Sequence, residues 1–224
     1  MKAHLKTSDS PKSWPVNRKD TMFLTRPKPG KSLYYSIPLN MALKQIGVAN
    51  TTKEARYIIQ NKDVQVDGKT ITSHRYPVGF MDVVTFPRTE KSYRMIITVK
   101  GRLDFIENPE VNLKPCKITG KTITKGKKVQ INTFDSRSII VDKDEYKVGD
   151  SILLDLTGQK IKENIPFKEG CQVYLIKGNY TGNIGTLKNI EQDKIFVDVE
   201  GQVIQTAKKY AYVVGKTKPK ITLK

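Results

Sequence analysis

From Tyr93 to the C-terminus, the apolar residues recur with strand alternation in short runs broken by Gly, Asp and Lys turns, and helical spacing fades. The runs are Arg94–Val99, Lys128–Thr133, Ser138–Val141 and Ser151–Leu154, then Gln172–Ile176, Thr186–Ile190, Ile195–Val199 and Tyr210–Val214. Strands this short cannot make one large sheet. They suit small barrels or sandwiches, each closing on its own core. A chain of 224 residues has room for several such units.

Helical signals are confined to the stretch before Tyr93. Leu39, Leu43 and Ile46 fall on one helical face, and Gly47 sits where a helix would end. Thr51-Thr52-Lys53-Glu54 has the form of a capping box, opening a second helix with Ala55, Ile58 and Ile59 inward and Asn61 at its close. Val64 to Ile71 then alternates around Asp67-Gly68, the strongest short hairpin signal in the chain. On this compact module Lys53, Arg56 and Lys62 lie away from the apolar stripe, with Lys44 on the first helix, Lys69 on the hairpin, and Arg75, Tyr57 and Tyr76 nearby. A solvated helix face would carry charges too. Cations beside flat rings are what phosphate contact and base stacking need.

Net charge sharpens that reading. Lys and Arg number 40 against 22 Asp and Glu, giving +18, so an anionic partner is expected, and nucleic acid fits better than a membrane. No apolar stretch approaches the length of a membrane helix, and Met1-Lys2-Ala3-His4-Leu5-Lys6 lacks the apolar block of a signal peptide, so an intracellular protein is expected. Cys116 and Cys171 have no CxxC spacing and read as buried thiols rather than a zinc site or a disulfide framework.

Residues 1–36 are basic, and the stretch to Pro38 is rich in proline and poor in aliphatics, so it reads as an extended arm that orders on a partner. Its candidate contacts are Lys6, Lys12, Trp14, Arg18 and Arg26, with Trp14, Phe23, Tyr34 and Tyr35 as stacking surfaces. Near the other end, Gly178-Asn179-Tyr180-Thr181-Gly182-Asn183-Ile184-Gly185 interrupts two strands. Glycines there permit positive φ and leave amides uncovered, so Lys177, Gly178, Tyr180, Gly182 and Lys188 are candidates for RNA contact. A hairpin that needs glycine merely to turn is the plainer reading of the same residues.

These motifs also resemble a known family. Ile37-Pro38-Leu39-Asn40 through Val83-Val84-Thr85-Phe86, with the capping box and the Asp67-Gly68 turn, resembles the S-four RNA-binding module. With Pro11-Lys12-Ser13-Trp14 and Arg26-Pro27 before it and Lys100-Gly101-Arg102, Phe134-Asp135-Ser136-Arg137 and Lys147-Val148-Gly149-Asp150 after it, the chain resembles in order the archaeal and eukaryotic small-subunit ribosomal S-four-e family. Gly170 to Leu187 resembles the KOW motif of small SH3-like barrels. The resemblance implies an α+β, multidomain chain: a basic extension over 1–37, the S-four module over 38–92, a central β domain over 93–166, a KOW domain over 167–215 and a basic tail over 216–224. It implies a structural constituent of the small subunit in the cytoplasm. Its partners would be ribosomal RNA and neighbouring small-subunit proteins, with no membrane, no small-molecule substrate, no metal and no cofactor.

Enzyme readings compete weakly. Gly101-Arg102-Leu103-Asp104 is similar to the Arg-Leu-Asp that pseudouridine synthases place after such a module, but Phe105-Ile106-Glu107 follows where those enzymes carry Thr/Ser-Gly-Leu-Leu. Gly30-Lys31-Ser32, Gly68-Lys69-Thr70, Gly120-Lys121-Thr122 and Gly215-Lys216-Thr217 imitate the end of a phosphate-binding loop. Its first glycine is replaced by Thr25, Asp63, Pro115 and Tyr210. A free regulator of translation or transcription using the KOW-like segment is the other alternative.

Overall fold

The computed structural model describes residues 3–124, 128–142 and 144–223. Two compact units make up the chain, one ending at Val111 and the other running from Asn112 to Leu223.

The first unit opens with β1 (His4–Lys6) paired antiparallel to β2 (Phe23–Thr25). Between them the chain folds inward. Trp14 is 3% exposed, its Nε1 donates to the Leu33 carbonyl at 3.0 Å, and the Ser13 hydroxyl donates to the Tyr34 carbonyl at 2.5 Å. The Leu103 amide donates to the Ser13 carbonyl at 2.8 Å, so the extension is fastened to the strand that follows the module. The partner on which this aliphatic-poor segment orders is its own unit. One buried indole supplies the apolar area that the proline-rich stretch lacked.

After β3 (Ser36–Pro38), helix α1 (Leu39–Ile46) buries Leu39, Ala42 and Leu43 and stops at Gly47, whose φ of 85° closes the left-handed cap. The capping box of α2 (Thr52–Gln60) is present in full: Glu54 N donates to Thr51 Oγ1 at 3.2 Å, and the Glu54 carboxylate accepts from the Thr51 amide at 3.4 Å. Ala55 and Ile59 face the core and Ile58 is half-buried. Next come β4 (Gln65–Val66) and β5 (Lys69–Thr70), joined by Asp67 and Gly68 at φ 51° and 74°, both values a tight hairpin turn requires. Then β6 (Pro77–Gly79) pairs with β3, while β7 (Val83–Phe86), β8 (Lys91–Ile97) and β9 (Leu103–Glu107) complete a sheet of order β5-β4-β7-β8-β9. Strand β8 spans the expected 92/93 boundary.

The second unit holds two five-stranded antiparallel sheets. β10 (Leu113–Ile123), β11 (Val129–Thr133), β12 (Ser138–Val141), β13 (Ser151–Asp155) and β14 (Lys160–Ile165) form the order β12-β11-β10-β13-β14. The long β10 serves two partners: Leu113–Lys117 pairs with β13, and Ile118–Ile123 pairs with β11 with a register shift between Ile118 and Gly120. β15 (Gln172–Leu175), β16 (Ile184–Glu191), β17 (Lys194–Val199), β18 (Gln202–Ala207) and β19 (Ala211–Gly215) form the order β18-β17-β16-β15-β19. Each sheet has its own core, around Cys116, Ile131 and Ile152 in one and Val173, Leu187 and Val197 in the other; both cysteines are free and buried.

Polar groups tie the two sheets. The Tyr212 hydroxyl donates to the Pro115 carbonyl at 2.7 Å and accepts from the Lys117 amide at 3.2 Å; Lys117 Nζ donates to the Lys209 and Ala211 carbonyls at 3.0 and 2.6 Å. Asp135 sits between Lys114 Nζ at 2.8 Å and Arg137 Nε at 3.0 Å. Burial alone would raise its carboxyl, but Lys114, the Thr133 hydroxyl and Arg137 outweigh that and hold it well below the usual range.

Strands β9, β10, β14 and β18 lie outside the runs read from the sequence. Lys114, Pro115, Lys117 and Gly120 break the apolar alternation of β10, and β14 and β18 are edge strands with polar faces.

Candidate nucleic-acid interface

Helix α2 divides its residues cleanly. Ala55 and Ile59 point into the core, while Lys53, Arg56 and Tyr57 are exposed on the outer face, Tyr57 at 67%. The spacing of 53, 56, 57 and 60 places those side chains on one side of the helix. An open cleft there is lined by Val48, Lys53, Arg56, Tyr57 and Ile58. Glu54 also lines it, but its carboxylate is engaged by the cap. The Asn50 amide at 2.8 Å, with the Thr51 groups, holds that carboxyl below its ordinary value, so it stays ionised and bound to backbone. Lys62 follows the helix at φ 63°, exposed, and Lys69 is exposed on the hairpin.

Lys44 is exposed in the last turn of α1, and Lys6, Lys12 and Arg18 are exposed on the extension. Arg26 and Arg75, remote in sequence, are brought together: Arg75 Nε donates to the Arg26 carbonyl at 2.9 Å. Among the described residues none of these ten cations forms an ion pair, in contrast to Lys31 with Asp82 and Arg88 with Asp63. The first unit therefore carries uncompensated charge on its outside.

Trp14 requires a correction. Its ring is buried and its N–H is committed to Leu33, so it anchors the extension and offers no face for stacking. Phe23 is half exposed but packs edge-on against His4, with ring centroids 5.1 Å apart.

In the loop between β15 and β16, Gly178 and Gly182 have φ of 101° and 85°, and Thr181 Oγ1 donates to the Gly178 carbonyl at 2.6 Å. Gly185 serves a different purpose. A Cβ there would stand 2.5 Å from the Asp198 carbonyl oxygen and from Val197 Cγ1, so β16 and β17 approach only because it has none. Backbone geometry thus accounts for all three glycines. What remains for an anion is the exposed Lys177 and Tyr180, the latter 42% exposed. Lys188 is drawn to Asp198 at 3.4 Å, which removes part of its charge from the loop.

Sequence reasoning passed over Lys209. Its Nζ lies 5.4 Å from the centre of the Tyr210 ring, and Lys177 Nζ lies 5.9 Å from the same ring, so two cations flank one aromatic beside the glycine loop. The Lys208-Lys209-Tyr210 run was a readable signal. Asp104, the residue weighed as a catalyst, is an exposed carboxylate that accepts from Gln45 Nε2 and the Phe105 amide, both at 2.9 Å. It fixes α1 to β9.

Three family models match the chain: the RS4NT domain over residues 1–30, the S4 domain over 37–84 and Ribosomal family S4e over 89–161. The small ribosomal subunit protein eS4 of Methanosphaera stadtmanae is 39% identical over 230 residues, covering 98% of this chain and 95% of that protein. Its counterpart in Methanocaldococcus jannaschii is 36% identical over 240 residues, covering 99% and 98%. The crystal structure of the 30S ribosomal protein S4e from Thermoplasma acidophilum superimposes with a TM-score of 0.72 at 28% identity, covering 82% of this chain and 96% of that one.

Proposed function

This chain belongs to the ribosomal S4e family, and from that premise we propose which of its surfaces grip the RNA of the small ribosomal subunit. It is a structural ribosomal protein and not an enzyme, and the pseudouridine-synthase reading of Asp104 falls with that membership. The primary RNA surface is the outer face of α2 with Lys53, Arg56, Tyr57 and Lys62, extended by Lys44, Lys69 and Arg75. The exposed Lys6, Lys12 and Arg18 of the extension, with the half-buried Arg26, run along the same RNA. Residues 167–215 act as a KOW-type domain that presents Lys177, Gly178, Tyr180 and Gly182, with Lys188 weakened by Asp198. Neighbouring small-subunit proteins complete its surroundings in the cytoplasmic ribosome.

One observation carries the reading: an amphipathic helix whose outer face holds two unpaired cations and an exposed tyrosine, while its only carboxylate, Glu54, is spent on the cap. Such a face is suited to phosphate and base together. The experiment is cosedimentation from a cell extract at moderate salt. The chain is expected in the small-subunit fraction and in the joined ribosome; recovery only in the light fractions would overturn the proposal.

A further inference from the structure

Segments remote in sequence converge on His74. From the extension, the Lys28 amide donates to the Arg75 carbonyl at 2.7 Å while Arg75 Nε returns a bond to the Arg26 carbonyl at 2.9 Å. From α1, the Asn40 amide donates to the His74 carbonyl at 3.1 Å and the Leu39 amide to the Tyr76 carbonyl at 2.9 Å. The backbone of 74–76 is thereby fixed on both sides.

The charges around the imidazole all have one sign. Arg56 comes from α2, Arg75 from the same loop and Lys28 from the extension, while α1 contributes the uncharged Asn40. Partial burial, then Arg56, Arg75 and Lys28, hold His74 below the ordinary histidine range, and no acidic group enters the balance. Among the described residues Lys28, Arg56 and Arg75 form no ion pair. A backbone frame that bonds Lys28 to Arg75 beside His74, with Arg56 also acting on the imidazole and no carboxylate among the groups that do, is organised for an anion from outside.

We propose that Lys28, Arg56, His74 and Arg75 form a site for one phosphate of the RNA backbone, and that the imidazole takes up a proton as the phosphate enters. The site rests on the RNA-binding reading above and adds to it a proton-linked contact. An incoming phosphate offsets the repulsion from the three cations, so the protonated imidazole is favoured in the complex and disfavoured outside it. Affinity then rises as pH falls toward the free imidazole's range.

The test is the affinity of the full chain for small-subunit ribosomal RNA at pH 8 and pH 5.5, at constant ionic strength, for the wild type and His74→Gln. The wild type is expected to bind about three- to tenfold tighter at the lower pH, since one unit in proton affinity carries a tenfold factor. His74→Gln should lose that difference. Arg56→Gln, an exposed helix position that leaves the fold intact, should weaken binding and shrink the pH effect, which keeps the proposal testable if His74→Gln unfolds. Equal pH dependence in wild type and both variants overturns the site and leaves RNA binding standing. Failure to bind this RNA at either pH in low salt overturns both. A third arm adds inorganic phosphate at millimolar concentration with chloride balanced. Displacement of the RNA contact by phosphate alone would reassign the site to free phosphate and overturn the RNA assignment.

Discussion

The indole Nε1 of Trp14 donates to the carbonyl oxygen of Leu33 at 3.0 Å, and this bond with the buried ring holds a proline-rich segment against its own unit. The basic extension therefore meets RNA as a surface already positioned at its root, while Lys6, Lys12 and Arg18 stay free outside.

Trp14→Ala removes the ring and the bond together. Loss of a large buried aromatic costs about 3–5 kcal/mol. Trp14→Phe keeps much of the area but leaves the Leu33 carbonyl unpaired, at roughly 1–3 kcal/mol. Urea unfolding should rank wild type above Trp14→Phe and Trp14→Ala last, and limited proteolysis should cut the extension of Trp14→Ala first.

Asp135 stabilises its unit in a pH-dependent way. Its folded carboxyl lies below the unfolded value, so the stabilisation is complete above the ordinary carboxylate range near pH 4 and is lost as pH falls below it. Asp135→Asn removes the carboxylate that pairs with the buried Lys114, at about 3–5 kcal/mol. Denaturation midpoints at pH 7 should fall strongly in this variant, and their further loss on acidification should be shallower than in the wild type.

Lys117 works in the opposite window. Burial, then Lys208, lowers its ammonium to about 8, against an unfolded value of about 10.4. Between those values the unfolded chain holds the extra proton, so this group makes stability rise with pH above 8. Other groups titrate nearby, among them Cys171, whose thiol burial pushes up. The difference between wild type and Lys117→Met cancels them: the gap in stability should widen in favour of the wild type from pH 8 to about 9.5.

The two kinds of glycine in the β15–β16 segment separate by substitution. Gly185→Ala must push β17 away and is expected at the upper end of the roughly 1–3 kcal/mol of overpacking. Gly178→Ala meets the Tyr210 ring at 3.7 Å and Thr206 Oγ1 at 3.9 Å, ordinary contact distances, and so carries backbone strain alone, about 1–2 kcal/mol. Thermal unfolding of the two variants gives the order.

What could be read in the sequence was whatever a few adjacent residues decide. Gly47 at the end of α1, Thr51 with Glu54 at the start of α2 and Asp67-Gly68 in the hairpin all act within four residues of themselves, and all three features are present. Trp14 was misjudged because its fate depends on Leu33, which no periodicity connects to it. Strand β10 stayed hidden because Lys114 and Lys117 are buried by partners as remote as Asp135 and Ala211. Gly185 read as a loop glycine because its reason lies across the sheet at Asp198. On the RNA face, the cations of α2 were legible from helical spacing, whereas the pairing of Lys28 and Arg26 with Arg75 exists only through the fold.

The central claim concerns the outer face of α2, and its most direct test is the triple variant Lys53→Ala, Arg56→Ala, Lys62→Ala assayed for affinity to small-subunit ribosomal RNA across a salt titration, with unfolding measured in parallel. Weaker binding is expected at every salt concentration, with a log–log salt slope shallower by about 0.7–0.9 for each phosphate no longer neutralised, and unfolding nearly unchanged. Unaltered affinity and slope in a folded variant would contradict the account.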